Sequence, residues 1–374
     1  MKGLRRLLLA ENGLLSSDQT GLWRQELKGG EGALEAVRRL GAVQIDPVAI
    51  VERSHHLTLF NRVRRYRPAD LESLYPTKRL FEHFAHARCA MPVEWFGAFR
   101  EKMAFWKSLH NGDDSALNEA MALAAEQIGQ KGPLCSRLIQ AETKLHGYWD
   151  LNEPRTKATA HALELLWEYG DVVVSSRQNE ERWYDLTERW LEPSSFNGSL
   201  LDHYIQAMVV IDDGDLGFGW MRRPKAQRSE AIQTLVDSGR LEPLDGFWTT
   251  PERAEKARQL EEAKIEPIVT LLPPLDNLLW RRPRLKRLFE FDYTWEIYMP
   301  PAKRKFGAYG MPILEGERII GQIDPKLDRS KSLLTINRIE LRAPYSPMRL
   351  RRLEKALASF ARFHNADLAP VPWP

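Results

Sequence analysis

The chain has 374 residues, 43% of them hydrophobic and 28% charged, with a formal net charge of +3. That is room for roughly two to four modules with sizeable cores, and it excludes a disordered, collagen-like or disulfide-stapled chain. Cys89 and Cys135 are the only cysteines and have no metal-ligand spacing, which reads as a reduced, intracellular protein. The apolar run Leu7 to Ala10 after Arg5-Arg6 is too short for a signal peptide core, and no apolar run approaches transmembrane length, so no membrane partner is expected.

Leu4 to Leu9 predicts a short helix, and a second covers Ala33 to Leu40 and stops at Gly41. Val43-Gln44-Ile45-Asp46 then reads as a strand ended by Pro47, with Leu57-Thr58-Leu59-Phe60 returning antiparallel to it. Helix, helix, strand, long tip and strand in that order are what a winged helix-turn-helix requires. The order recurs with a helix over Ala158 to Tyr169, Gly170, and a hairpin of Val172 to Val174 with Arg182 to Leu186. It recurs again with Ile232 to Val236, Gly239, and a hairpin turning at Asp245-Gly246. Between the first two units, Pro68 to about Lys131 reads as helical, including Phe81 to Arg88. After a helix over Ala254 to Ala263 the pattern turns to strands, at Phe291 to Met299, Gly310 to Leu314, Arg318 to Ile323 and Leu333 to Leu341. An amphipathic helix over Met348 to His364 closes the chain.

Strand periodicity sends Gln44 and Asp46 to one face, where an amide and a carboxylate could hold a water against a sugar carbon. The bland alternative is that Asp46 caps a turn with Pro47 while Gln44 bonds nearby backbone. One carboxylate is too little for an ordinary glycoside, which needs an acid for the leaving group. It suffices for an N7-alkylated purine, whose positive charge already makes it a good leaving group. Basic runs at Arg62 to Arg67, Arg222-Arg223, Arg281 to Arg287, Lys303-Arg304-Lys305 and Arg349 to Arg352 suggest a polyanion, although each alone reads as a solvated face. Arg53, His55 and Arg62 follow the motif, and Lys157, Arg177 and Arg182 fall at the start and wing of the second unit, where cations meet phosphate. His83 and His86, three apart on the expected helix, lack a cysteine or carboxylate cluster to complete a metal site, so His86 is read as a polar lining group. No phosphate-binding loop, serine nucleophile elbow or zinc signature is present.

Several blocks resemble the YcaQ/AlkZ family of winged-helix DNA glycosylases: AVQIDPVAIVERSHHLTLF from Ala42, FEHFAHARCAMP from Phe81, Thr156 to Leu191, and Leu271 to Asp328 with its LLPPLDNLLW opening. The family's Gln-apolar-Gln or Gln-apolar-Asp motif falls on Gln44 and Asp46, and Asp in the second place resembles the YcaQ-like branch. The family's lysine matches Lys157. The resemblance implies a basic, C-shaped scaffold and monofunctional glycosylase activity on alkylated bases, without metal or cofactor.

The expected fold is α+β, with three tandem winged helix-turn-helix units and a C-terminal β-barrel-like module. The boundaries are 1–67 for the unit carrying the motif, 68–131 for a helical connector, 132–192 and 193–262 for the second and third units, 263–345 for the barrel and 346–374 for the closing helix and tail. The expected function is hydrolysis of the N-glycosidic bond of N7-alkylguanine, including nitrogen-mustard-type interstrand crosslinks, leaving an abasic site. The catalytic residues would be Gln44 and Asp46. Arg53, His55, Arg62, His86, Lys157, Arg177, Arg182, Lys303 and Arg304 would face double-stranded DNA. The enzyme would be a cytoplasmic, nucleoid-associated monomer. The alternative is a non-catalytic winged-helix regulator, against which stands the lack of a heptad-patterned dimerisation helix.

Overall fold

A computed structural model describes residues 1–110, 114–139, 144–145, 156–178, 181–191 and 198–373. Packing divides the chain into two compact units, one of Met1–Arg67, Ile205–Leu216 and Arg223–Pro374, the other of Pro68–Tyr204 and Gly217–Arg222.

The first unit begins with α1 (Lys2–Glu11) and α2 (Gly29–Leu40), whose apolar stripes are buried. Gly41 ends α2 at φ 75°, and a Cβ there would lie 3.0 Å from the Ala207 side chain, so backbone and packing both require glycine. β1 covers only Val43–Gln44, and the chain then passes through irregular backbone to α3 (Ser54–Arg62). The strand expected at Leu57 to Phe60 is therefore helix. Nearly every residue of α3 is buried, and a four-residue apolar run carries no periodicity that separates a buried helix from a strand.

The second unit runs through α4 (Pro68–Glu72), β2 (Leu80–Phe84), β3 (Arg88–Pro92), α5 (Phe96–Ser108), α6 (Ser115–Lys131), β4 (Leu134–Cys135), β5 (Lys144–Leu145) and β6 (Thr156–Lys157). There follow α7 (Ala158–Glu168), β7 (Val172–Gln178), β8 (Glu181–Leu186), α8 (Thr187–Trp190) and α9 (Leu200–Met208), which from Ile205 on belongs to the first unit. Phe81 to Arg88 is thus an antiparallel hairpin rather than helix, pairing His83 with Cys89 and Phe84 with Arg88. Its turn is closed by the Ala85 N–H on the Ala87 carbonyl at 2.9 Å and contains no glycine, proline or asparagine to announce it. The helix, glycine and hairpin expected next are present: Gly170 follows α7 at φ 75°, and β7 pairs with β8, which also pairs with β4.

Back in the first unit, α10 (Lys225–Asp237), β9 (Glu242–Leu244), β10 (Phe247–Thr249) and α11 (Pro251–Leu260) repeat that order. Asp245 and Gly246 both have positive φ, 52° and 75°, which a two-residue hairpin turn of this kind demands. Next come β11 (Val269–Leu271), α12 (Arg282–Phe289), β12 (Met311–Glu315), β13 (Arg318–Asp328), β14 (Leu333–Leu341), α13 (Pro347–Phe363) and β15 (Asp367–Leu368). β11 to β15 form an open five-stranded sheet in sequence order. Register breaks at Ile313/Leu314 and Asp324/Pro325 mark the bulges that bend it. α13 packs Leu353, Leu357 and Phe360 into its apolar face. Phe291 to Met299, expected as a strand, is irregular instead. Among the described residues no helix is long and apolar enough to cross a membrane.

Candidate active site

Gln44 ends β1, and Asp46 lies beyond the strand, so the two side chains do not owe their places to strand alternation. Asp46 Oδ1 accepts the Val48 N–H at 2.8 Å, the local turn around Pro47 that a short acidic side chain favours. That bond anchors one oxygen of the carboxylate. The group is half-buried, and desolvation pushes its pKa above the ordinary value while the Val48 N–H works in the other direction. No lysine or arginine pairs with it among the described residues. A partly desolvated carboxylate without a cation attracts developing positive charge strongly.

The segment around Asp46 is held from a distance by residues of the same unit that lie more than two hundred positions later. The Asn277 amide donates to the Ala42 carbonyl at 2.8 Å. Tyr309 Oη donates to the Glu52 carbonyl at 2.8 Å, and Arg329 donates to the Val51 carbonyl at 2.8 Å. The Leu275 N–H reaches Ser54 Oγ at 3.0 Å, and Asn61 donates to the Leu271 carbonyl at 2.9 Å. Asn277 and Tyr309 were not among the expected site residues. The one signal for Asn277 is its place in a polar Asp276-Asn277 pair between the apolar Leu271-Leu272 and Leu278-Leu279-Trp280, and Tyr309 has none.

Several cations expected at DNA have other roles. Arg62 is fully buried, with its guanidinium bidentate on the Asp276 carboxylate, and is corrected from a phosphate contact to a core ion pair. His55 is likewise buried, packed against the His56 ring, which removes it from the surface. Arg304 donates to the carbonyls of Glu296, Ile297 and Met299 and ties its own loop together. In the second unit Arg177 grips the buried Glu82 carboxylate at 2.6 and 2.8 Å, and Arg182 pairs with Glu164 at 2.9 Å. Arg53 is half-buried, while His86 and Lys303 are exposed. Lys157 lies in β6, and its side chain falls outside the described residues. His83, on β2, is buried, whereas His86 stands in the exposed turn, so the two do not share a helix face. Among the described residues no group of three or more histidine, cysteine or acidic side chains gathers as a metal site.

Among solved structures, the chain is similar to the Streptomyces sahachiroi DNA glycosylase AlkZ, with a TM-score of 0.61 at 13% identity over 99% of this chain and 98% of that one. At that identity the likeness establishes a shared mixed α+β fold. The family model for AlkZ-like DNA glycosylases matches residues 37–363, a span that includes the Gln44 and Asp46 segment and strands β11 to β14 of the bent C-terminal sheet. The chain therefore belongs to the AlkZ-like DNA glycosylase family, and it is a DNA-repair enzyme that acts on DNA.

Proposed function

We propose that this glycosylase hydrolyses the N-glycosidic bond of N7-alkylated guanine in double-stranded DNA, both as single adducts and as nitrogen-mustard-type interstrand crosslinks. It acts as a monofunctional monomer and leaves an abasic site. The observation that supports this most directly is the Asp46 carboxylate, oriented by Val48, partly desolvated and without a cationic partner among the described residues. An N7-alkylguanine carries a positive charge that is neutralised when the C1′–N9 bond breaks and its electron pair leaves with the base. The deoxyribose then bears the charge, and Asp46 offsets it. Water adds to C1′ and its proton passes to Asp46. Gln44 positions the water or the sugar.

On this reading α7 with β7 and β8, and α10 with β9 and β10, act as winged helices against the duplex, and the exposed His86 and Lys303 contact DNA with Arg53, Lys157 and Arg182. Gln-x-Asp rather than Gln-x-Gln favours a broad set of alkylated guanines over one toxin adduct.

The test is incubation with a duplex holding one N7-methylguanine, followed by alkaline cleavage of abasic product, for wild type and Asp46→Asn. Strand scission by wild type, with Asp46→Asn at least about a hundredfold slower but still binding, is expected. Equal rates for the two proteins would remove Asp46 from the chemistry.

A further inference from the structure

Tyr298 is the most exposed large hydrophobic side chain among the described residues, at 77%. A single exposed aromatic is unremarkable by itself. What sets this one apart is the rigidity of the loop that presents it. The buried Glu296 carboxylate accepts the backbone N–H groups of Lys305, Phe306 and Gly307 at 3.0, 2.8 and 3.2 Å. Arg304 returns three bonds, to the carbonyls of Glu296, Ile297 and Met299 at 3.2, 3.1 and 2.9 Å. Both limbs of the 296–307 loop are thereby cross-linked through charge-assisted bonds. Burial alone would raise the Glu296 pKa, and the three N–H donors hold it below its usual value instead.

This fixed loop is joined to the Asp46 segment through aromatic rings. Tyr298 meets Trp295 edge to face at 5.6 Å, Trp295 meets Tyr309 at 6.3 Å, and Tyr309 Oη bonds the Glu52 carbonyl at 2.8 Å. The Tyr298 phenol also senses the carboxylate: desolvation first, and the charge of Asp46 after it, push its pKa up. An aromatic face thus stands open to solvent close to the group placed at the sugar.

We propose that Tyr298 is a stacking platform for the alkylated base, seating the purine ring while Asp46 addresses its sugar. This rests on the glycosylase reading above. The chemistry suits a cationic purine in particular, because the face of a tyrosine ring attracts a positive charge and stacks on any base. A preorganised loop loses little entropy when the base docks.

The experiment uses full-length Asp46→Asn protein, which holds lesion DNA without cleaving it, alone and combined with Tyr298→Ala or Tyr298→Phe. Dissociation constants are measured for a duplex with one N7-methylguanine and for the undamaged duplex. Tyr298→Ala is expected to cut the preference for the lesion by about tenfold. Tyr298→Phe should keep it, and binding to undamaged DNA and thermal stability should stay unchanged in both, because the ring is exposed. Retained preference in Tyr298→Ala, loss in Tyr298→Phe equal to that in Tyr298→Ala, or no lesion preference in the Asp46→Asn parent overturns the proposal. Failure of the wild-type enzyme to release N7-methylguanine is a separate result and overturns the substrate reading instead.

Discussion

Arg62 and Asp276 form a fully buried, two-pronged ion pair with N–O distances of 2.8 and 2.9 Å. Arg62 also donates to the carbonyls of Asn12 and Thr58, at 2.8 and 2.9 Å, and Asp276 Oδ1 accepts the Leu278 N–H at 3.1 Å. The pair joins α3 to the segment that supplies Asn277. Removing one partner strands a buried charge, which costs about 3–5 kcal/mol. Arg62→Met should therefore lose about that much stability in urea titrations, and Arg62→Met with Asp276→Leu should lose less than Arg62→Met alone. Undiminished stability accompanied by weaker DNA binding would restore Arg62 to the DNA surface.

The contrast between Arg62 and Asp46 shows what the sequence makes legible. The Gln44 and Asp46 segment stands out because glycine ends the preceding helix and proline follows the acid within a few residues. The helix and hairpin around Gly170, and those around Gly239 and Asp245-Gly246, were readable for the same reason, since their punctuation is local. The β2–β3 hairpin was not, because Ala85-His86-Ala87 carries no turn chemistry and buried Glu82 finds its cation at Arg177, 95 positions away. The arginine run from Arg62 likewise looked like a solvated face until its first member met Asp276, 214 positions later. Long-range polar partners decide such positions, and periodicity contains no trace of them.

His83 predicts an acid-sensitive second unit. Its ring packs at 5.3 Å from Trp167 and 5.9 Å from Phe99, and the Nε2–H donates to the Glu168 carbonyl at 3.1 Å. Burial pushes its pKa down to about 4, against which the Glu168 bond works, while nearby Lys102 lowers it further. Unfolded, the same side chain takes up a proton near 6.5, so the unfolded state binds more protons between the two values. Stability present above pH 6.5 is lost as pH falls toward 4, by up to about 3 kcal/mol. His83→Phe cannot titrate, so its urea midpoint should fall less between pH 7 and pH 5 than that of wild type. His364, also pushed down to about 4, contributes equally to both proteins. Equal slopes would mean that the His83 ring is protonated in the folded state.

Tyr309 separates holding the catalytic segment from performing the chemistry. Its ring is buried, and its hydroxyl holds the Glu52 carbonyl, six positions beyond Asp46. Tyr309→Phe keeps the ring and removes the bond, so stability should fall by only about 1 kcal/mol. The Asp46 segment then loses one of its fixed points, and single-turnover base release should slow by about three- to tenfold, because small misplacements of a catalytic group are costly. The pH profile identifies the cause. Release requires the Asp46 carboxylate, so the wild-type rate should fall on the acid side through a pKa raised above that of an ordinary aspartate by desolvation. Tyr309→Phe should lower the plateau and keep that acid limb, since Asp46 still performs the step. Asp46→Asn should abolish the limb along with most of the rate. A Tyr309→Phe enzyme that matches wild type in rate would show that the Glu52 bond does not position Asp46, and the hold on the segment would then fall to the bonds made by Asn277, Arg329, Leu275 and Asn61.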